Sequence, residues 1–200
     1  MQQNIKSELT KKHIVDKAFE LFYENGFKTT SIDKIMKATP FSKGAFYHHY
    51  KNKKELGLEV ITLKIQQRVY DGMVLPLTKK GDALQLLQST FLNRIKSFPL
   101  YDKTHGCPMN NFINEIGDYE LAYQNALKNI IEKWKETLIQ LIERGKKENS
   151  INKKISSTAV AVYLISAFEG IRGIRKLYSD DRIIDEYISG LSLYLTRLKP

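Results

Sequence analysis

Between Gly26 and Lys53 the chain is interrupted at short intervals, and this punctuation constrains the fold more than any other feature. Gly26 follows a run of apolar residues, Ile14, Val15, Ala18, Phe19, Leu21 and Phe22, spaced for one buried face of a helix from about Ser7 to Asn25. A glycine just past the last periodic residue supplies a left-handed C-terminal conformation at no steric cost. Thr30-Ser31-Ile32-Asp33 then has the spacing of a capping box, with Asp in place of Glu, and predicts a second helix from Thr30. Pro40 ends it, because proline breaks the hydrogen-bond ladder and restricts the residue before it. Ser42 is a candidate N-cap for a third helix, Lys43 to about Tyr50, and Asn52-Lys53-Lys54-Glu55 opens a fourth. Two short helices joined by a tight turn, after a longer one, read as a helix-turn-helix.

The remainder also reads as helices: about Lys53–Leu75 ended by Pro76, Asp82–Phe98 ended by Pro99, Met109–Ile116, Asp118–Lys147, Ser156–Tyr178 and Asp181–Leu198. "YDKTHGCP" and "RGKKENSINKK" read as loops, and no strand alternation is evident. The expected fold class is all-α. A helix-turn-helix domain at 1–52 precedes a larger helical domain at 53–200.

Charge singles out the same early segment. The chain has 32 basic and 22 acidic side chains, net +10. Residues 28–54 hold Lys28, Lys34, Lys37, Lys43, Lys51, Lys53 and Lys54 against one acid, Asp33. More than half the excess charge therefore falls in about an eighth of the chain, a run that coincides with the two short helices and points to a polyanionic partner. A lysine-rich solvated surface is the plainer reading of such a run.

The residues Phe22 and Gly26-Phe27 before Thr29-Thr30-Ser31, then Ser42-Lys43-Gly44, Phe46-Tyr47-His48 and Lys51-Asn52-Lys53, resemble the DNA-binding domain of the TetR family of bacterial repressors. The resemblance implies a third helix entering the major groove end-on. Its first residues, Ser42, Lys43, Gly44 and Ala45, would face base edges. Lys43 would donate to guanine and Ala45 would touch a thymine methyl. Tyr47, His48 and His49 would lie at the groove and backbone, and Thr29 and Thr30 would donate to phosphate. Lys51 and Lys53 would clamp the flanking backbone, and Ser31 stands where some relatives read a base. Phe46 belongs to the core on its helical spacing. Two features depart from the family's pattern. Pro40 occupies a turn position where glycine is common, so Ala38 or Thr39 must end the second helix. All the arginines, moreover, lie beyond residue 60.

The resemblance further implies a homodimer on a near-palindromic double-stranded DNA operator, and a small-molecule effector. Ser166, Gly170 and Gly173, with the stripe Ile184, Tyr187, Ile188, Leu191, Leu195 and Leu198, would form a four-helix interface between subunits. The alternative is that both helices pack on their own domain. Candidate effector contacts are Cys107, Met109, Phe112, Trp134, Phe168, Glu169 and Arg172; Phe91, Ile113, Tyr123 and Tyr163 are further pocket or core residues. Glu169 and Arg172 fall inside an otherwise apolar helix, where they would pair with each other or address a polar ligand. Cys107 opens a helix and is a candidate oxidant or electrophile sensor, with Lys176 as electrostatic partner; a small buried filler is the other reading.

No cofactor is implied. His48 and His49 diverge around a helix and lack further ligands, so no metal site is expected. No nucleophile–base pair or phosphate loop suggests an enzyme. A basic helical adaptor without an operator is the other competing class, and a TetR-like activator is the alternative within the family. The polar start, the absence of an apolar run long enough for a bilayer and the single cysteine predict a cytoplasmic protein without membrane partners.

Overall fold

The computed structural model describes residues 2–200 and is helical throughout, with no β-strand among the described residues. The helices are α1 Gln2–Asn25, α2 Ile32–Lys37, α3 Lys43–His49, α4 Lys53–Val60, α5 Gln66–Val69, α6 Ala83–Lys96, α7 Leu100–His105, α8 Pro108–Ile116, α9 Leu121–Lys147, α10 Ser157–Ile174 and α11 Arg182–Thr196. They form two compact units. One holds the chain up to Gln67 together with Pro108–Lys128; the other holds Arg68–Cys107 and Asn129–Pro200.

In the first unit α1 presents Ile14, Val15, Ala18 and Phe22 inward, against Ile35 and Met36 of α2, Phe46 of α3 and Leu56 and Val60 of α4. Gly26 takes φ +87°, as the helix stop requires. The turn behind it is locked from far along the chain: the Phe27 amide donates to Glu115 Oε2 of α8 at 2.7 Å, and the Lys28 amide donates to Glu115 Oε1 at 2.5 Å. Phe27 packs on Phe22 (ring centroids 4.9 Å apart) and edge-on to Tyr123 (5.7 Å), and the Tyr123 hydroxyl donates to the Lys54 carbonyl at 3.0 Å. Gly57 sits at this crossing. A Cβ there would lie 2.6 Å from Phe27 Cε2.

Three expectations are corrected. The expected helix Lys53–Leu75 passes through π-helical stretches at Ile61–Ile65 and Tyr70–Val74, then a 3₁₀ turn at Leu75–Thr78 that contains Pro76. Most of the expected loop "YDKTHGCP" is α7. The second helix begins one residue later than the capping box suggested: Ser31 is the N-cap, its hydroxyl accepting from the Lys34 amide at 3.1 Å.

The second unit is built around Phe91, Trp134 and Phe168, from α6, α9 and α10, whose ring centroids lie 5.6 to 6.2 Å apart. Leu87, Leu138, Leu164, Leu191 and Leu195 complete its core. Gly145 is where α9 meets its neighbours, its position allowing Ile151 and Ala83 to approach closely.

Candidate nucleic-acid interface

The third helix is held from behind by Phe46, which is fully buried, while Ser42, Lys43, Gly44, Tyr47 and His48 stand exposed on the outer side. Ala45 is half-buried. Ser42 is the N-cap but makes no side-chain capping bond, so its hydroxyl is available. The turn before it needs no left-handed residue. Ala38 ends α2, the Thr39 hydroxyl donates to the Met36 carbonyl at 2.9 Å, and the Phe41 amide donates to Thr39 Oγ1 at 3.3 Å. Thr39 thus does for Pro40 what a turn glycine would otherwise do.

Lys43 Nζ lies 2.7 Å from Asp33 Oδ1, both side chains exposed. The hydrogen bond to Asp33 raises the lysine pKa. An exposed pair of this kind is screened by solvent and is easily exchanged for a phosphate or a base edge. Ser31, Thr29, Lys28, Lys34, Lys37 and Lys51 are also exposed, the Ser31 hydroxyl already capping α2 and that of Thr29 donating to the Asn25 carbonyl.

Two expected phosphate contacts, Thr30 and Lys53, are engaged by the protein's own backbone. Thr30 is fully buried, its hydroxyl donating to the Gly26 carbonyl at 2.7 Å, so it caps the end of α1 rather than meeting a phosphate. Lys53 Nζ donates to the carbonyls of Phe27 (2.9 Å) and Thr30 (3.0 Å) and lies 4.5 Å from the centroid of the Phe27 ring. Burial lowers its pKa, with Glu115 acting in the opposite sense. In this structure it ties the turn. His49 is half-buried, and burial followed by the neighbouring His48 lowers its pKa.

The expected dimer residues divide in the same way. Ser166 and Gly170 are exposed on α10, in register with Val162, Tyr163 and Ile174, and nothing lies within 4 Å of a Cβ built on Gly170 or Gly173. On α11, however, Ile184, Leu191 and Leu195, and Leu198 just after it, are buried within their own unit. Tyr187 and Ile188 are half-buried. The apolar stripe read from the sequence is the core-facing side; the outward side carries Gly190 and Leu193, the latter 62% exposed.

Of the expected effector contacts, Phe112 and Met109 are buried in the first unit. Phe112 packs edge-on to Phe22, a core role. Cys107, Trp134, Phe168, Glu169 and Arg172 belong to the second unit. Arg172 is buried, donates from Nη2 to the Gly106 carbonyl at 3.0 Å, and places its guanidinium 4.1 Å from the Phe98 ring centroid. Its Nη1 is 3.9 Å from Glu169 Oε1. Burial raises the Glu169 pKa, against the opposing pull of Arg172 and a hydrogen bond with Cys107. Cys107 is itself buried, an inward position rather than an accessible one. Among the described residues no group of three or more His, Cys, Asp or Glu side chains is placed to hold a metal, and no helix is long and apolar enough to cross a membrane.

Glu115 and Tyr123 were missed by sequence reasoning as parts of this head. Neither lies in a local motif, and the bond from Phe27 to Glu115 spans 88 positions.

Residues 14–60 match the model of bacterial regulatory proteins of the tetR family, and residues 83–191, more than half the chain, match the tetracyclin repressor-like C-terminal domain. The HTH-type transcriptional repressor DhaR of Mycobacterium sp. (strain GP1) is 23% identical over 186 residues, covering 90% of this chain and 88% of that protein. The Tn10 TetC protein of Escherichia coli is 49% identical over 55 residues, 28% of this chain and 27% of its own. A TetR transcriptional regulator from Chloroflexus aurantiacus superimposes with a TM-score of 0.85, at 24% identity and covering 96% of each chain. With its exposed third helix, its two helical units and these matches over both, the protein is a DNA-binding transcriptional regulator of the TetR family.

Proposed function

We propose that the protein is a cytoplasmic, homodimeric repressor that leaves a near-palindromic operator when a small effector binds its larger unit. The observation that carries the DNA-reading part is the exposed set Ser42, Lys43, Gly44, Tyr47 and His48 on a seven-residue helix whose only buried residue is Phe46. Lys43 exchanges Asp33 for a guanine edge, and Gly44 allows the helix close to the bases. Lys28, Lys34, Lys37 and Lys51 neutralise phosphate. Thr29 and Ser31 flank them.

The subunits pair through the outward faces of α10 and α11, Val162, Tyr163, Ser166, Gly170 and Ile174 on one and Gly190 and Leu193 on the other. Small residues there let helices of two subunits approach closely. A two-fold dimer then presents two recognition helices to two half-sites. Effector binding biases the spacing of the two heads, and a coupling of about 1–3 kcal/mol suffices to empty the operator.

In vitro selection of bound duplexes tests this reading. The expected product is one family of inverted repeats. Fluorescence anisotropy on the selected duplex should give a log K against log salt slope of about −7 if the dimer neutralises about eight phosphates. Recovery of no preferred sequence at low salt overturns it. Promoter-directed transcription in vitro with and without the protein separates repression from activation.

A further inference from the structure

On the larger unit a cleft of about 340 Å3 opens beside one face of α6, with the π-helical turn at Tyr70–Val74 and the 3₁₀ turn after it forming the other wall. A volume of this size is at the lower end of small-molecule sites, about 300–1,000 Å3. None of the effector contacts expected from the sequence lines it. Leu86, Thr90, Asn93, Arg94 and Ser97 follow one another at helical spacing along the α6 wall, and Asp71, Gly72 and Pro76 face them.

Arg94 is the centre of the site. Its guanidinium lies 4.6 Å from the Phe98 ring centroid and has no carboxylate partner among the described residues. Asp102, a buried acid that acts on it electrostatically, is paired with Arg68 Nη2 at 2.5 Å. Desolvation, followed by repulsion from Arg68 and Arg172, lowers the Arg94 pKa, with Asp102 and Cys107 acting in the opposite sense. An arginine in this position favours an incoming anion, and its planar fork matches a carboxylate with two parallel hydrogen bonds. Glycine opposite it lets the guanidinium lie here: a Cβ on Gly72 would stand 2.8 Å from Arg94 Nε.

The second independent sign is Thr90. It is 5% exposed, lines the cleft, and its hydroxyl has no hydrogen-bond partner in the protein. A buried polar group left alone costs stability, and such groups call for an explanation. The hydroxyls of Ser89 and Ser97 already donate to the carbonyls of Leu86 and Arg94, so Thr90 and the Asn93 amide are the donors left beside the guanidinium. Lys79 adds a second cation and Asp71 the one acid of the lining, which disfavours a dianion. Leu86 and Pro76 supply an apolar wall for a short hydrocarbon or a single ring.

We infer that this cleft binds a small organic monocarboxylate, its carboxylate on the Arg94 fork with Thr90 and Asn93 completing the shell and its apolar body against Leu86 and Pro76. As a binding site it stands without DNA; as the seat of the effector it rests on the ligand-released reading above.

Isothermal titration of the full-length protein tests it, with benzoate and butyrate as carboxylates, benzamide as the neutral isostere of benzoate, and inorganic phosphate as the competing anion. The expected result is saturable carboxylate binding at one per chain, with benzamide at least about tenfold weaker because the guanidinium then loses its counter-charge. Arg94→Gln should weaken benzoate by about tenfold or more. Gly72→Ala should do so as well, by pushing the guanidinium aside. Only the flexible end of Arg94 obstructs that Cβ, so Gly72→Ala carries the test if Arg94→Gln fails to fold. The inference is overturned if neither carboxylate binds, if benzoate and benzamide bind alike, if phosphate binds and the carboxylates do not, or if both variants bind benzoate as the parent does. Operator affinity is then measured at saturating benzoate. A change within twofold leaves the site standing and removes its regulatory role.

Discussion

In the DNA-reading head, Lys53 ties the carbonyls of Phe27 and Thr30, Glu115 accepts both amides after Gly26, and Thr30 gives its hydroxyl to the end of α1. In the larger unit, Thr90, Trp134, Glu169 and Tyr187 each keep a buried polar atom without a hydrogen-bond partner. The difference follows from what each part must do. A recognition helix seven residues long has too little surface of its own to stay fixed, so the turn behind it is tied by these bonds and the chemistry faces outward, although Tyr50 Oη in the same unit also lacks a hydrogen-bond partner. If the cleft beside α6 binds its carboxylate as inferred above, the Thr90 hydroxyl is a polar atom that the ligand completes, and the unit carries its cost in stability while empty.

The largest test of the contrast is on the head's outer side. Lys43→Ala should weaken operator binding about a hundredfold, since each of the two half-sites loses a base contact. The melting temperature should stay where it is, because the side chain supports nothing behind it. A variant that melts early would place Lys43 in the scaffold and erase the division between inner supports and outer readers.

Gly57→Ala attacks the supports directly. Its Cβ would meet the Phe27 ring at 2.6 Å and the Tyr123 hydroxyl at 3.0 Å, and neither has room to move. Overpacking of this kind should cost about 3 kcal/mol by chemical denaturation. The parallel change on α10, Gly170→Ala, meets nothing within 4 Å and should leave the folded subunit no less stable, while weakening the dimer in sedimentation. Equal losses in the two variants would mean the head is no more tightly built than the exposed helix face.

Two neighbouring lysines sharpen the point further. Lys53→Met should lower stability by about 2 kcal/mol, the scale of hydrogen bonds from a charged donor. Lys51→Met should leave stability unchanged and reduce the salt slope of operator binding by about one for each copy. Reversed results would restore Lys53 to the DNA-contacting set.

These two lysines also show where sequence reading succeeds and where it stops. Gly26, Pro40 and Asn52 punctuate the chain by local backbone chemistry, so the helices of the head were legible, and so was Phe46 as core from its spacing. A lysine at a helix start has the same local signature whether it faces water or three carbonyls, so the inward turn of Lys53 was not legible. Glu115 acts across 88 positions with no motif to mark it. On α11 the apolar stripe was visible, but the sequence alone does not say whether a stripe meets its own core or a second subunit; Ile184, Leu191 and Leu195 meet the core. The π-helical turns leave no compositional trace, because shifting a hydrogen bond from i+4 to i+5 changes no residue type. The cleft beside α6 was hidden in part for that reason: Asp71 and Gly72 in its wall lie on such a turn.

The smallest effect is the most discriminating, because the same substitution should change sign between the units. In the head, Thr30→Val removes a hydroxyl bonded to the Gly26 carbonyl at 2.7 Å and should cost about 1 kcal/mol. In the larger unit, Thr90→Val removes a buried hydroxyl that has no partner and replaces it with a group of nearly the same shape. Stability should rise by about 1 kcal/mol, a melting shift of about 2–4 °C for a chain of this length. Benzoate affinity should fall in the same variant, since the hydroxyl that destabilises the empty unit is one that the carboxylate uses. Gain in one property and loss in the other is the signature of a functional polar group. If Thr90→Val instead lost stability as Thr30→Val does, the hydroxyl would be structural, and the proposed contrast between the bonded Thr30 hydroxyl of the head and a ligand-completed Thr90 in the larger unit would fail at its most exposed point.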